Sequence, residues 1–329
     1  MERMNSSRAT QQRLPRFTRD PDAAGSFQFT KRDLEIMQLV AEHRFIRSEW
    51  IVKLVGGSAQ QVLRRLHLLF HHGYLDRPRA QLDHYHEGGS RSMVYGLASR
   101  GAGRLRRDLN MPFERMEWTT RTKRVGRLFI EHTLMVSDFM AGLELDCRER
   151  ADIRLLYPHE LPKPSGRENS REPFRWTVDL PGKRRVGVVP DKVFVLEVTH
   201  SDGRIERTHH FLEADRGTMP IERRDLRQSC VLRKLKAYEA TQTMQVYRTR
   251  LGAERFRVLI TCHQKERVDH IREAVGKMDT GRRLFRVICD ADLHSCTSRV
   301  DLINSSRRGD EHHRTIPLGV GQLPPTQAA

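Results

Sequence analysis

Apolar positions recur along this chain with two different periods, and the change of period divides it. From residue 30 the spacing is helical. Thr30 precedes Asp33 by three positions, the pattern of a capped helix start, and Leu34, Met37, Val40 and Ala41 share one face to about His43. Ser48 opens a shorter helix containing Trp50, Ile51, Leu54 and Val55, which Gly56-Gly57 stops. Ser58 opens a third, with Val62, Leu63, Leu66, Leu69 and Phe70 as its stripe and Gly73 as its end. Strands are expected at residues 74–77 and 92–97, joined by a polar loop through Gly88-Gly89, then a helix from Ala98 carrying Leu105 and Leu109.

Beyond a polar, basic stretch, a longer helix is expected over residues 122–147, with Leu128, Phe129, His132, Met135, Val136, Phe139 and Leu143 inward. The period then shortens to that of strands. Residues 153–157, 174–180 and 193–198 read as strands in a meander, with a Pro- and charge-rich excursion over 158–174. Ser201-Asp202-Gly203 reads as a hairpin turn, because Asp-Gly tolerates positive φ, and Phe211 to Asp215 lie on the returning strand. A helix over 221–240 follows Met219-Pro220, with Val231, Leu232, Leu235 and Tyr238 on one side. A strand over 256–261, a helix over 268–278 and a strand over 284–288 complete the order. The fold class is therefore α+β or α/β. Its expected units are an N-terminal arm (1–26), a helical unit with two strands (27–110), a basic linker (111–127), a mixed-sheet domain (128–300) and a disordered tail (301–329).

Composition changes this picture in one respect. Lys and Arg outnumber Asp and Glu by 59 to 42 in 329 residues, a formal charge of +17, while mean hydropathy is −0.64. Arginine supplies most of the excess, and its planar fork suits phosphate. Polyanions are the expected partner class, nucleic acid ahead of anionic membrane; an arginine-rich genome is the alternative source of the same excess. No apolar run reaches the ~18–20 residues of a membrane span. Residues 1–20 lack the apolar centre of a secretory leader. The five cysteines, at 147, 230, 262, 289 and 296, are scattered, as in a reduced cytoplasmic protein. Cys289, His294 and Cys296 lack a second pair, so no zinc site is expected. His67, His71, His72, His84 and His86 have no regular spacing and are expected to be solvated.

Three short helices followed by two strands are the pattern of a winged helix-turn-helix. The phrases Gly73-Tyr74-Leu75 and Tyr95-Gly96-Leu97-Ala98-Ser99-Arg100-Gly101 resemble the two ends of that family's wing. In such domains the third helix enters the major groove of double-stranded DNA. Its polar face here offers Gln60, Gln61, Arg64, Arg65 and His67; Gln pairs with adenine edges, Arg with guanine edges or phosphate. The same residues suit a plain solvated face or a protein-binding module. A second constellation lies on the hairpin. Strand alternation puts Glu213 and Asp215 on one face, and Asp191, at the start of the partner strand, brings a third carboxylate near; this is the outline of a hard-cation site. His132 is expected to be a hydrogen-bonded core histidine.

Pro190-Asp191 followed by Glu213-Ala214-Asp215, in this order of elements, resembles the PD-(D/E)xK nuclease fold. That resemblance implies that Asp191, Glu213 and the Ala214 carbonyl bind magnesium or manganese and that Glu131 adds an acidic group; in an enzymatic reading Asp215 is a further ligand. The family's lysine is replaced by Asp215, which leaves Lys234 or Lys236 as the candidate to position water, and Arg216 to contact phosphate. Over residues 30–265 the chain also resembles the replication-relaxation family. The residues that carry this are the stretch from Glu131-His132-Thr133 to Asp138-Phe139, Pro190-Asp191, Phe211-Leu212-Glu213-Ala214-Asp215-Arg216-Gly217-Thr218 and Lys234-Leu235-Lys236-Ala237-Tyr238. The resemblance implies a bacterial DNA-binding protein of plasmid or conjugative-element replication, relaxation or mobilisation. Three activities are consistent with that: a metal-dependent nickase, a non-catalytic relaxosome or replication accessory, and a transcriptional autoregulator. A relaxase or replication initiator, and a second copy of the chain, are the expected protein partners.

Overall fold

A computed structural model describes residues 16–82, 92–109, 125–161, 174–182, 184–224, 228–278, 283–295 and 298–304. The fold is mixed α+β. The N-terminal unit contains α1 (Pro21–Ala24), α2 (Lys31–His43), β1 (Phe45–Arg47), α3 (Ser48–Val55), α4 (Ala59–His71), β2 (Leu75–Asp76), β3 (Val94–Leu97) and α5 (Ser99–Leu109). Thr30 and Asp33 form the expected reciprocal cap of α2, each side chain serving the other's backbone N–H. The three helical stripes meet in one core of Ile36, Met37, Val40, Ile51, Leu54, Val62, Leu66, Leu69 and Phe70. Sequence period missed β1, only three residues long, which pairs antiparallel with β3 and makes the sheet order β1-β3-β2. Gly101 is required where α5 passes the start of β2: an added Cβ would lie 2.3 Å from the Tyr74 carbonyl oxygen.

Residues 16–26, expected to be a disordered arm, are packed against this unit. Arg19 donates to the carbonyls of Phe70 and Leu75, each at 3.1 Å, and pairs with Asp76 at 3.1 Å. The backbone N–H of Asp20 donates to His71 Nδ1 at 2.9 Å. His71 is therefore buried, not solvated, and burial pushes its pKa down to about 4. His84, His86, Cys296 and most of the basic linker lie outside the described residues.

The second unit is built on α6 (Arg127–Arg148) and a five-stranded sheet. Its strands are β4 (Ile153–Leu156), β7 (Lys192–Thr199), β8 (Ile205–Asp215), β9 (Phe256–Cys262) and β10 (Phe285–Cys289), in the order β10-β9-β8-β7-β4. The β4–β7 and β7–β8 pairs are antiparallel, whereas β8–β9 and β9–β10 are parallel. Between β4 and β7 in sequence, β5 (Trp176–Leu180) and β6 (Arg184–Val188) form a separate hairpin. The expected three-strand meander is corrected accordingly, because the strand at 176–180 never enters the sheet. Its alternate residues Trp176, Val178 and Leu180 turn instead to α7 (Val231–Thr243), where Trp176 Nε1 donates to Thr241 Oγ1 at 2.8 Å. Helix α7 also starts ten residues later than expected. The carbonyls of Pro220 and Ile221 accept from its first-turn N–H groups of Val231 and Leu232, at 3.0 and 2.9 Å, so that segment serves as the cap.

Burial on both faces makes β7 a continuous apolar run. Val193 and Val195 face α7 and α9 (Lys265–Gly276), while Phe194 and Leu196 face Phe139, Met140 and Leu143 of α6. The short α8 (Val246–Thr249) precedes β9, and α10 (Asp290–Ser295) and α11 (Arg299–Asn304) close the α6 side. Val300 and Ile303 of α11 are buried, so order extends past residue 301, where the tail was expected to begin. Among the described residues no helix is long and apolar enough to cross a membrane.

Candidate functional site

Three features of the chain converge at the carboxyl end of β8. The first is alternation: Phe211, Glu213 and Asp215 turn to the α7 face, and Phe211 is core while the next two emerge toward the strand end. The second is the hairpin register, in which Lys192 pairs with Leu212 and the Asp191 N–H donates to the Leu212 carbonyl at 3.0 Å. That register lets Asp191 Oδ2 accept from the Ala214 N–H at 2.9 Å. The third is helical spacing: Lys234 and Tyr238, four apart on α7, share one face and both reach Glu213. A cavity of about 170 Å³ results, lined by His132, Asp191, Glu213, Lys234 and Tyr238, with Arg216 and Thr218 at one side.

Glu213 is the electrostatic centre of this cavity. Its side chain is 4% exposed, with Lys234 Nζ donating to Oε2 and the Tyr238 hydroxyl to Oε1. Burial raises its pKa to about 7; Lys234 and Tyr238 oppose that rise and the Asp191 charge adds to it. Asp191 is held below its ordinary value. Burial acts to raise it, but the His132 bond at 3.0 Å, the Lys234 charge and the Ala214 N–H outweigh that. Lys234 is shifted upward, since the Glu213 and Asp191 charges overcome its own desolvation. The pair of carboxylates thus differs in proton affinity, with a cationic lysine between them. The buried Tyr238 hydroxyl, pushed far above its ordinary value by burial and by Glu213, stays a neutral donor.

The other expected members divide. Asp215 lines the same cavity but is engaged elsewhere: Arg267 of α9 holds both its oxygens at 2.9 Å, and the Gly217 N–H donates to it at 2.7 Å. It closes the turn at the end of β8 and ties that turn to α9. Lys236 is not among the lining residues, because two positions along a helix rotate it ~200° from Lys234. Glu131 lies outside the small cavity, paired with Arg127 at 2.7 Å and with Arg216 at 3.3 Å. Arg216 also borders a larger cleft of about 800 Å³ between the N-terminal unit and α6, whose walls include Arg47, Trp50, Lys53 and Arg299. Among the described residues, no three His, Cys, Asp or Glu side chains form a ready-made metal cluster.

On α4, Gln60, Gln61 and Arg64 are exposed, as expected. Arg65 is not available in that way. It forms a forked pair with the fully buried Asp33 (Nε to Oδ1 2.8 Å, Nη2 to Oδ2 2.5 Å) and lies over the Phe27 ring. It joins α4 to α2.

Two site residues escaped the sequence reading. His132, expected as a hydrogen-bonded core residue, is hydrogen-bonded but lines the cavity, where it meets Asp191; its only signal in the sequence is its place beside Glu131 in the resembling stretch. Tyr238 was read by its ring alone, although its spacing from Lys234 marked the same helix face.

The model of a family described as Replication-relaxation matches residues 37–254. Comparison with curated proteins and with solved structures finds no match.

Proposed function

Since the chain belongs to the replication-relaxation family, we propose that it binds double-stranded DNA in plasmid or mobile-element replication or relaxation and nicks it with a divalent cation. In this reading the N-terminal unit is a winged helix that docks α4, through Gln60, Gln61 and Arg64, in the major groove. The second unit is a PD-(D/E)xK-like domain. The observation that carries the reading is the convergence of Asp191, Glu213 and Lys234 in one cavity. The lysine that the motif lacks on β8 is supplied from α7.

The donor set fits magnesium or manganese. Asp191 and Glu213 offer hard oxygens, and Mg²⁺ is commonly held by one or two carboxylates completed by water and substrate phosphate. Glu213 is a buried carboxylate raised to about 7, which a cation would lower, and the half-exposed Lys234 ammonium has room to swing from it. Bound there, the cation would supply an acidified water and charge neutralisation at the phosphate. The protein's own groups do the rest. His132 and the Ala214 N–H fix the Asp191 carboxylate, and Tyr238 fixes Glu213. Lys234 stays protonated, so it acts as a donor that orients water or stabilises negative charge and not as a base. Arg216, at the border of the cavity, is suited to a phosphate oxygen.

A specific observation favours a second reading, a non-catalytic accessory: each oxygen of Asp191, Glu213 and Asp215 already has a donor. Supercoiled plasmid incubated with the protein and Mg²⁺ or Mn²⁺ decides between them. Nicking by the wild type, abolished in Asp191→Ala and reduced at least tenfold in Lys234→Met, supports the enzyme. Intact DNA with either cation, together with DNA binding that Arg64→Ala weakens, supports the accessory.

A further inference from the structure

The strand that carries Asp191 is anchored outside the cavity, at the join between the two units. Glu42 is the penultimate residue of α2, where the last carbonyls of a helix lack intrahelical partners. Lys192, the residue after Asp191, donates from Nζ to the Glu42 carbonyl at 3.0 Å and to its Oε1 at 2.6 Å. It therefore caps α2, adds a cation at the negative end of the helix dipole, and neutralises the carboxylate in one contact. Both side chains are largely buried, 17% and 19% exposed. His159 Nδ1 reaches the other Glu42 oxygen at 3.3 Å, and Tyr157 packs its ring under the Lys192 ammonium at 5.2 Å. Burial would raise the Glu42 carboxyl; His159 and Lys192 instead hold it down, at about 2.

Geometry makes this contact consequential for the cavity. Successive strand residues point to opposite faces, so Asp191 turns to the cavity while Lys192 turns to the N-terminal unit. The backbone that separates them is held on Leu212 of β8. At the other end, α2 is fastened to α4 by the Asp33–Arg65 pair and by the packing of Ile36, Met37 and Val40 on Val62, Leu66 and Leu69. Unbroken packing therefore connects the helix bearing Gln60, Gln61 and Arg64 with the start of β7.

We propose that the Glu42–Lys192 pair is a positioning strut that sets the Asp191 carboxylate relative to the N-terminal unit. Its bearing on DNA rests on the reading of the previous subsection. Movement of α2 when α4 docks is passed to Asp191 through this pair, and loss of the pair frees Asp191 without altering the docking face.

Amide hydrogen exchange on the full chain tests this without relying on cleavage, because the Ala214 N–H is protected by the Asp191 carboxylate itself. In Lys192→Met and Glu42→Gln, exchange at Asp191 and Ala214 is expected to quicken about tenfold or more while amides of α4 keep their wild-type rate. Lys192→Arg, which keeps the charge, should restore much of the protection. Wild-type exchange at Ala214 in Lys192→Met overturns the proposal. So does an equal acceleration in α4, which would make the pair a general stabiliser. If wild type nicks plasmid, the two variants should lose turnover about tenfold at unchanged plasmid affinity, and a loss of affinity instead would count against the strut. If wild type does not nick, the nuclease reading falls while exchange still decides this one.

Discussion

Replacing Glu213 by Gln should make the protein more stable in mild alkali and change little in mild acid. The fold raises this carboxyl from about 4.5 to about 7, chiefly by burial. A group whose folded pKa lies above its unfolded value favours the protonated form, so its contribution is complete below the unfolded value and is lost as pH rises through 7. At 1.36 kcal/mol per pH unit, the rise from about 4.5 to about 7 corresponds to about 3 kcal/mol across that window. Glutamine keeps the shape and still accepts from the Tyr238 hydroxyl, but it has no proton to lose. Its amide forfeits the charge-assisted bond from Lys234, whose ammonium is 44% exposed and can return to water. Urea unfolding between pH 5 and pH 8.5 is the assay. Wild type should lose roughly 2–3 kcal/mol relative to Glu213→Gln over that range, most of it between pH 5 and pH 7. Added Mg²⁺ should return part of the loss to wild type and none to the variant, if the cation reading is right. Parallel stability profiles would refute the reasoning, since Glu213 would then titrate as an ordinary surface carboxylate.

Three further outcomes follow from particular positions. Arg65→Ala leaves the buried Asp33 without its cation and should cost about 3–5 kcal/mol in urea unfolding, the range for breaking one side of a buried pair. Arg64→Ala, one position away and exposed, should stay within about 0.5 kcal/mol in the same assay while weakening DNA affinity and its salt dependence. Gly101→Ala should destabilise the N-terminal unit by about 1–3 kcal/mol, because the new methyl meets a backbone carbonyl, which cannot swing aside as a side chain would. Thermal unfolding followed by Trp50 fluorescence reads it.

How much of this was legible in the sequence depends on how local each signal is. The helices of the N-terminal unit were readable because a cap, a stripe and a glycine stop all fall within one segment. Asp191 and Glu213 were readable for a related reason: period 2 fixes the face of Glu213, and the hairpin turn fixes its partner strand. Arg65 was not, since the sequence cannot tell a solvated arginine on a helix flank from one that reaches a buried aspartate thirty residues away. β6 was missed because it opens on Arg184-Arg185 and contains Gly187, an unfavourable strand composition that only the pairing with β5 and the cover of α7 make stable. Asp215 had the right face for a site residue. It lines the cavity as expected, and what the sequence did not show is its pairing with Arg267, a side chain on another helix and past another strand.

His132 shows where the remaining difficulty lies, and α6 explains it. That helix serves three apolar clusters at once. Ile130 and Leu134 pack with Phe45 and Val94, Ala141 joins the core of α2 and α4, and Phe139, Met140 and Leu143 cover the sheet. With each fully buried side chain worth ~1.5–3 kcal/mol, the helix belongs as much to one unit as to the other. Asp138, on the same helix, fixes the join by accepting from Arg47 at 3.1 Å and from Trp50 Nε1 at 2.8 Å. A helix that packs on several sides has its polar residues scattered between the contacts, so the sequence does not tell which of them pairs with a neighbour and which lines a gap. Two of them face a gap: Asp138 lines the cleft and His132 lines the cavity. The apolar positions that bury α6 in three clusters also fix its rotation, and that rotation sets His132 Nε2 3.0 Å from Asp191.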